Sequence, residues 1–483
     1  MKSNPSKQYV AITLAASILA LAASFVLSGL GLTLLAVSLG ALIAAGYFFW
    51  IFKTPLLGLL TVVFLLPFER IGSIDLSGVT VRPSQIVALV TIVAFLWQQL
   101  ASKKFSFQKN PMVIPTVAFL LSNLISLFFA INFTRGVEVF VFTTFVAGVS
   151  FVVPQIVTTK EHVEKLVRIL MISAVLVSLF GIYQFIGDLI GLPPTLTGLG
   201  VLYTKAVFGF PRIQSTAAEP LYFANYLLIP IGVALSLLLN AKKQNTFWWL
   251  VVIMLFVVNF LLTLSRGGYV GFVGLVIVLA IAHYKHVFSK KNLALYGIIF
   301  GVAAVAFGFL IGFSSNAREA VNTFWGQAFN FSSGASIEER QGTVSQALWQ
   351  FAGHPIFGIG PGNFGPAIAE RPLVTPTAGW LIVNNETIEL LTETGIVGLT
   401  LFVLVLAIVF FRSIRAFRAA RDPYIKNVLA GLLAAFVAVF IQYQSFSTLF
   451  VLHVWVLMGL LVAVQNIALR REVPSSQSVQ EGA

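Results

Sequence analysis

The sequence predicts an all-α polytopic membrane protein, with about 12–14 transmembrane helices and one long loop outside the bilayer. Hydrophobic residues make up 58% of its 483 positions and charged residues 10%, whereas a soluble domain carries roughly 25% charged residues. The apolar residues form unbroken runs such as 248–264, and not the alternating pattern of a barrel strand. Because lipid cannot pair with backbone groups, we expect these runs to form a helical bundle.

Fourteen apolar runs, separated by polar residues, are the predicted spans, and the third is the shortest. The first follows Lys2 and Lys7 and leads directly into the second, so we interpret it as a retained span and not as a signal peptide. The runs are 9–29, 31–52, 55–68, 83–100, 112–131, 137–157, 165–191, 219–240, 246–264, 267–285, 293–313, 393–411, 425–443 and 447–468.

The distribution of Lys and Arg predicts the orientation, because short cytoplasmic loops retain these residues. With both termini in the cytoplasm, 21 of the 30 basic residues lie on the inner side. The net charge of +13 then reflects topology and not nucleic-acid binding. The outer side keeps only Arg70, Arg82, Arg135, Lys205, Arg212, Arg266, Arg318, Arg340 and Arg371.

One long polar segment divides the chain. We expect a bundle of about 11 spans at 1–313, an extracytoplasmic catalytic loop at 314–392, C-terminal transmembrane helices at 393–468 and a disordered cytoplasmic tail at 469–483. The chain has no cysteine, which excludes disulfides, thiolate metal sites and cysteine nucleophiles.

The long loop is expected to carry a short helix and a tight turn. The segment 341–351 is predicted to be an amphipathic helix on the membrane face that ends at Gly353. Gly358–Gly362 follows no strand and lacks the ending of a nucleotide-binding loop, so a rigid, close-packed turn is expected there. The helix is indicated by apolar residues at helical spacing, Val344, Ala347, Leu348 and Phe351.

Two outer arginines stand in unusual settings. Arg266 lies in a tight turn that opens a span, where glycine allows close approach and a helix N-terminus next to an arginine favours an anion such as phosphate. Arg212 lies in a loop before another span, and its small, aromatic and proline neighbours predict a fixed loop that dips toward a cavity. For the remaining arginines Arg70, Arg82, Arg135, Arg318 and Arg371, an interface anchor is the simpler interpretation.

Three sets of residues follow one another between 212 and 400. They are Ser265-Arg266-Gly267-Gly268 at the start of a span, Arg340 followed by the segment 347–364, and the closing segment 385–399. In this order, with a long outer loop between two spans, they resemble the O-antigen ligase and polymerase superfamily of integral membrane glycosyltransferases. The likeness covers nearly two-fifths of the chain, and the rest is similar only as a multi-span bundle.

The resemblance implies a metal-independent transferase without a cofactor, at the outer leaflet of the cytoplasmic (inner) membrane of a bacterium. Such enzymes take a glycan from a polyprenyl-diphosphate carrier, such as undecaprenyl diphosphate, and join it to a hydroxyl acceptor. The acceptor is the lipid A core of lipopolysaccharide for ligases, the next repeat unit for polymerases, and a protein serine or threonine for a third branch. The expected partners are therefore this donor, a glycan, lipid or protein acceptor and the bilayer, with no nucleic acid.

The resemblance implies that arginines bind the diphosphate of the donor. In this chain these would be Arg266 and Arg340, with Arg212 as a further candidate. This role is chemically sensible, because the leaving diphosphate gains charge as the anomeric bond breaks and preorganised donors stabilise that charge.

One departure from the family concerns the proton of the acceptor hydroxyl. Ligases of this group usually carry His-Asn where this chain has Asn384-Asn385, and asparagine is no base at neutral pH. Glu386 and Glu393 are the candidate carboxylate bases. His354 is a third candidate, for which a mainly structural role is expected. The alternatives are that Glu386 only complements a helix dipole and that Glu393 pairs with an arginine.

Three functions remain open from the sequence. A polymerase or general ligase of surface glycan is favoured over strict lipid A core ligation, because the ligase-like histidine is missing. A transporter or flippase of lipid-linked glycan would need charges near the bilayer midplane, where Asp188 and Glu138 are the nearest candidates although both lie near span ends. The third function is that of a non-catalytic, glycan-binding relative.

Overall fold

The computed structural model describes residues 32–76, 79–102, 107–239, 243–287, 318–319, 321–323, 325–326, 335–376 and 379–470. The predicted spans 9–29 and 293–313 and most of the tail lie outside the described residues. Each of the other twelve predicted spans coincides with a helix. The chain is thus an all-α, multi-pass membrane protein.

The helices and strands are α1 (Leu32–Lys53), α2 (Pro55–Leu65), β1 (Ile74–Leu76), β2 (Val79–Val81), α3 (Pro83–Ser102), α4 (Val113–Ser126), α5 (Phe133–Ile156), α6 (Lys160–Leu189), α7 (Pro220–Leu238), α8 (Lys243–Leu262), α9 (Arg266–Ala282), α10 (Ala335–Gly353), α11 (Glu386–Ala419), α12 (Pro423–Gln442) and α13 (Leu452–Leu469). Among the described residues, seven helices are long and apolar enough to cross a membrane, namely α3, α5, α6, α7, α11, α12 with its 3₁₀ extension, and α13. The strands form one antiparallel hairpin, with Ile74 opposite Val81, which the span prediction did not include.

Helices α7, α12 and α13 form the centre of the bundle, where most of each span is buried by protein. A side-chain carbon added at Gly232 of α7 would lie 2.7 Å from the carbonyl oxygen of Gly431 in α12. Small residues at such crossings let helices approach closely in membranes. The outer helices instead expose apolar side chains such as Trp248 and Ile281, as a lipid-facing surface requires.

The helices end at two opposite faces of the bundle, and different charged residues lie at each face. On one face, Lys160 Nζ lies 2.7 Å from Asp422 Oδ2, and Arg470 donates to the carbonyl of Thr158 over 2.9 Å. These residues belong to the set that charge counting assigned to the cytoplasm. The outer arginines of the sequence analysis lie near the helix ends of the other face. Which face points outward stays a prediction.

The loop helix α10 ends at Gly353, where the sequence predicted its end. Its packing face lies against α11, because the Thr392 hydroxyl donates to the Ala347 carbonyl over 3.0 Å and Ala347 is fully buried. Leu348 instead points outward with 45% of its surface exposed. The predicted apolar face is therefore divided between protein contacts and an exposed surface.

A kink in α11 explains the spacing of two sequence motifs. Gly395 interrupts the helix with φ of 67°, so the carbonyls just before it lose their helical donors. Ile359 N–H donates to the Thr392 carbonyl and Gly360 N–H to the Glu393 carbonyl, over 3.1 and 2.9 Å. We call residues 354–364 the glycine turn. It satisfies the backbone groups that the kink releases.

The glycine turn is as close-packed as the sequence predicted. Gly358, Gly360 and Gly362 all have positive φ, which glycine adopts without strain. A side-chain carbon at Gly358 would lie 2.6 Å from the Thr392 carbonyl oxygen, and one at Gly360 would lie 2.7 Å from Cβ of Ala130. The turn therefore packs directly against α11 and the end of the α4 region.

Candidate active site

The connection between α12 and α13, residues 443–451, is where the sequence motifs meet. Asn385 Nδ2 donates to the Gln444 carbonyl over 3.2 Å. A side chain at Gly267 would overlap that of Ser445, so the start of α9 is in close contact with the same connection. Tyr222 of α7 completes the set, because its hydroxyl lies 2.9 Å from Thr448 Oγ1. The Arg266 motif and the closing motif are thus neighbours in space.

Arg266 is the first residue of α9, whose N-terminus is capped by its own motif. The Ser265 side chain accepts a hydrogen bond from Gly268 N–H over 3.3 Å, as N-cap serines do. Gly268 is also tightly packed, because a side-chain carbon added there would lie 3.3 Å from Cβ of Ala224. The Ser-Arg-Gly-Gly sequence thus gives a capped, close-packed helix start that carries an arginine.

Arg212 lies in a rigid loop, as predicted from its composition. Ser215 adopts φ of 52°, its N–H donates to Gln184 Oε1 over 2.8 Å, and Thr216 Oγ1 donates to the Pro67 carbonyl over 2.6 Å. Arg212 Nε donates to the Thr263 carbonyl over 3.3 Å, and its guanidinium lies 5.8 Å from the Tyr203 ring. The loop therefore holds Arg212 beside the turn that precedes Arg266.

These two arginines form the arginine cluster, together with Glu219, Tyr203 and Tyr269. Burial lowers the pKa of Arg212, and the nearby charge of Arg266 acts in the same direction although the two tyrosines oppose it. Burial raises the pKa of Glu219, which the charge of Arg212 opposes. Two cations held together against a single acid create a site of positive potential. Such a site favours a polyanionic ligand.

Glu386, Glu389 and Glu393 lie on one face of α11, as their spacing of three and four residues requires. They line a cavity of about 180 Å³, which we call the glutamate cavity. Glu386 Oε2 accepts from Thr448 N–H over 2.7 Å, while within the described chain Oε1 accepts no hydrogen bond. Glu389 Oε2 accepts from Val383 N–H over 2.7 Å. Glu386 and Glu389 thus each use one carboxylate oxygen in a backbone hydrogen bond.

Glu393 has a different environment from Glu386. Its Oε2 accepts from Gly362 N–H over 2.7 Å and its Oε1 accepts from Phe364 N–H over 3.1 Å. Both oxygens are therefore used by the backbone of the glycine turn, and not by an arginine side chain. This geometry indicates a positioning role for Glu393.

Arg82 and Arg135 also line the glutamate cavity, whereas the sequence suggested that they anchor the chain at the interface. Arg135 lies in the first turn of α5, where Asn132 caps the helix. Asn132 N–H donates to Asn363 Oδ1 over 2.7 Å, and this bond fastens the glycine turn beside Arg135. Sequence spacing could not reveal this contact, because more than two hundred residues separate the partners.

The arginine cluster and the glutamate cavity each include one residue from the first turn of α7. Glu219, at the N-cap of α7, belongs to the arginine cluster, and Tyr222, three residues later, lines the glutamate cavity. Three residues correspond to a rise of about 4.5 Å. Tyr222 reaches Thr448, which binds Glu386, and all three residues line the glutamate cavity.

The remaining candidates have definite but different positions. Asn384 has φ of 60°, a conformation that asparagine tolerates better than most residues, and Asn385 caps α11 by accepting from Ile388 N–H over 3.1 Å. His354 is exposed, and its carbonyl accepts from Gly358 N–H in the glycine turn. Arg340 is exposed on α10 and is not among the residues of the glutamate cavity. In the described residues, no cluster of His, Asp or Glu has the arrangement of a metal site.

Comparison with known families gives one match. The O-antigen ligase family model matches residues 249–403, a range that contains Arg266, Arg340 and the closing segment but not Arg82, Arg135 or Arg212. No curated protein matches the sequence. The matched range also contains the glycine turn and the kink in α11, which fit each other in the structure. The family match and these motifs together support the relationship of this part of the chain to the O-antigen ligase superfamily.

Proposed function

We propose that the chain transfers or polymerises a polyprenyl-diphosphate-linked glycan onto a hydroxyl acceptor at the outer leaflet of the bacterial inner membrane. The observation that carries this proposal is the pairing of two sites of opposite character. Arg212 and Arg266 act on each other electrostatically in the arginine cluster, and buried carboxylates line the glutamate cavity; each site includes one residue from the first turn of α7. A transfer from a diphosphate to a hydroxyl needs an anion site beside a proton acceptor.

In this proposal, the arginine cluster binds the donor. Arg212 and Arg266 hold the diphosphate, and the N-terminus of α9 adds N–H groups that favour the same anion. Arg340, exposed on α10, is proposed as a further cation that binds the donor. As the anomeric C–O bond breaks, the diphosphate oxygen takes the bonding electrons. The guanidinium groups stabilise this charge without reorganising.

Glu386 takes the proton of the acceptor. The acceptor oxygen forms a bond to the anomeric carbon while its proton passes to Oε1 of Glu386, the oxygen that accepts no bond from the described residues. Thr448 N–H holds the other oxygen over 2.7 Å and so fixes the carboxylate. Glu386 thereby replaces the histidine that ligases of this superfamily usually carry at position 384. This replacement favours a polymerase or general ligase over strict lipid A core ligation.

The position of two acids argues against the alternative of a transporter or flippase. Glu138 Oε2 lies 3.4 Å from Arg135 Nη1 in the first turns of α5, and Asp188 Oδ2 accepts from Lys205 N–H over 2.7 Å at the end of α6. Both carboxylates are engaged at helix ends, whereas transport needs ion or substrate sites near the midplane. A non-catalytic relative would have no need for the open carboxylate oxygen of Glu386.

The test is reconstitution in vesicles with a radiolabelled polyprenyl-diphosphate oligosaccharide. We expect the glycan to move to a hydroxyl acceptor, and Arg212→Ala or Arg266→Ala to abolish transfer and weaken donor binding. Arg371→Ala is the matched control, because Arg371 is exposed in the segment between α10 and α11 and is not among the residues of either site. Full activity of the Arg266→Ala protein, or transport of the donor without any transfer, would contradict the proposal.

A further inference from the structure

We propose that a basic cavity at the face opposite the candidate active site binds the phosphate headgroup of an anionic phospholipid. The cavity holds about 520 Å³, whereas the glutamate cavity holds about 180 Å³. It lies between the ends of four helices, α6, α11, α12 and α13. No residue of the arginine cluster or of the glutamate cavity lines it. Its charged lining residues are Lys160, Arg415, Arg421, Asp422 and Arg470.

The carboxylate of Asp422 lines the basic cavity, and the protein itself uses both of its oxygens. Oδ1 accepts from Ile425 N–H over 3.0 Å, which caps α12, and Oδ2 accepts from Lys160 Nζ over 2.7 Å. Lys160 Nζ also lies 3.9 Å from Glu164 Oε1. Lys160 is therefore paired within the protein, and neither oxygen of Asp422 binds an arginine of the cavity.

The three arginines of the basic cavity are not paired with carboxylates. Within the described residues, no ion pair includes Arg415, Arg421 or Arg470. Arg470 donates to neutral groups, the Thr158 carbonyl and Gln108 Oε1, each over 2.9 Å. Like charges around one cavity repel one another unless an anion lies between them, and guanidinium groups bind phosphate through parallel hydrogen bonds. The cavity thus has the charge and the donors that a phosphate group requires.

The walls and the position of the basic cavity favour a lipid over a free phosphate ion. Ile425, Ile467 and Leu469 give it an apolar lining beside the arginines, which a small hydrated anion does not need. The four helices around it are all long and apolar enough to cross a membrane, so their ends lie at the level of the headgroups. Basic pockets between transmembrane helices at this level bind anionic headgroups. A phospholipid can place its phosphate among the arginines and its glycerol against the apolar residues.

The experiment measures selective lipid binding by the full chain in micelles of an uncharged detergent that contain excess phosphatidylcholine. A phosphatidylglycerol with a fluorescent acyl chain is bound first. It is then competed with unlabelled phosphatidylglycerol, with more phosphatidylcholine of the same acyl chains or with inorganic phosphate. We expect only the unlabelled phosphatidylglycerol to displace the label. It should also raise the apparent melting temperature, because a ligand that binds the folded state stabilises it.

Arg415→Gln and Arg421→Gln test the basic cavity itself. Each should raise the Kd for phosphatidylglycerol about fivefold, since one basic residue near a lipid surface contributes about that factor. Arg418→Gln is the matched control, because Arg418 is exposed on the same end of α11 but does not line the cavity. Its Kd should stay within about twofold of the wild-type value. Equal melting temperatures without added lipid show that the variants are folded.

Four results would overturn the inference. Displacement by phosphatidylcholine would show ordinary lipid contact, and displacement by inorganic phosphate would show a site for a free anion only. An unchanged Kd in both cavity variants would remove the arginines from the site. An equal loss of affinity in Arg418→Gln would show attraction by the whole basic surface and not by the cavity. None of these results depends on the proposed transferase function, because none of them measures glycan transfer.

Discussion

Glu386 and Glu393 lie about two turns apart on one face of α11, yet their carboxylates have different hydrogen-bond partners. Both residues are more than nine-tenths buried, so exposure does not separate them. The hydrogen bonds do, because Glu393 uses both oxygens to hold the N–H groups of Gly362 and Phe364, whereas Glu386 uses one. At the scale of single residues, this difference in hydrogen bonding supports the proposed positioning role of Glu393 and the proposed proton transfer to Glu386.

Replacing Glu393 by glutamine should destabilise the protein more than it alters catalysis. The amide nitrogen would face one of the two backbone N–H groups, and leaving such a donor unsatisfied costs about 1–3 kcal/mol. We expect a lower apparent melting temperature in detergent for Glu393→Gln. Glu370→Gln, at an exposed position between α10 and α11, should behave as the wild-type protein. An unchanged melting temperature for Glu393→Gln would remove its positioning role.

Sequence reasoning identified some of these residues and missed others for a physical reason. Glu386 and Arg266 stand in recognisable local sequence patterns, so the sequence alone identified them as candidate site residues. Arg82 and Arg135 carry no such pattern, and only the contact between Asn132 and Asn363 brings the second of them to the cavity. Glu389 could have been predicted from the sequence, because its spacing of three residues from Glu386 places both side chains on one helix face.

At the scale of elements, the kink of α11 and the glycine turn form one unit. Gly395 releases carbonyls that the turn binds, and Ile396 N–H in return donates to the Pro355 carbonyl over 2.9 Å. Each element supplies the partners that the other lacks. The two motifs are separated in sequence but depend on each other in space.

Replacing Gly395 by alanine should therefore disrupt both elements. Its φ of 67° strains any side chain by about 1–3 kcal/mol, and an added carbon would overlap the carbonyl of Ile356. We expect little folded Gly395→Ala protein by size-exclusion chromatography. Gly353→Ala is the matched control, because nothing lies within 4 Å of an added carbon at Gly353. Equal yields of the two variants would show that the kink is not required.

Sequence patterns predicted the membrane helices, but not the start of α11 or the β1–β2 hairpin. The apolar runs marked the helices well, because a bilayer requires about 20 apolar residues in a row. The span 393–411 was too short, since α11 begins at Glu386. Its first two turns are polar and packed by protein, so hydrophobicity does not reveal them. The β1–β2 hairpin was missed because three-residue strands leave no periodic signal.

At the scale of the whole molecule, the two faces carry different chemistry. The arginine cluster and the glutamate cavity lie at one face, whereas the opposite face has a basic cavity lined by Lys160, Arg415, Arg421 and Arg470 beside Asp422. Charge counting assigned this basic face to the cytoplasm, because lysine and arginine are retained there. The site would then open toward the extracytoplasmic side.

The orientation can be tested by labelling, because the chain has no cysteine of its own. We expect a membrane-impermeant maleimide to label Glu370→Cys in intact cells, where the membrane does not shield the outer face. Ala419→Cys, also exposed but at the opposite face, should react only after lysis. The reverse pattern would invert the predicted topology and place the site in the cytoplasm.

The central claim is that the two sites divide the reaction between donor and acceptor. Single-turnover transfer from a polyprenyl-diphosphate oligosaccharide by Glu386→Gln protein, with donor binding measured in the same vesicles, tests it most directly. Loss of a general base should lower the transfer rate by about 10²–10⁴-fold while donor affinity stays near that of the wild-type protein and of the Glu370→Gln control. A wild-type transfer rate in the Glu386→Gln protein, or a loss of donor binding that accounts for the whole defect, would contradict the account.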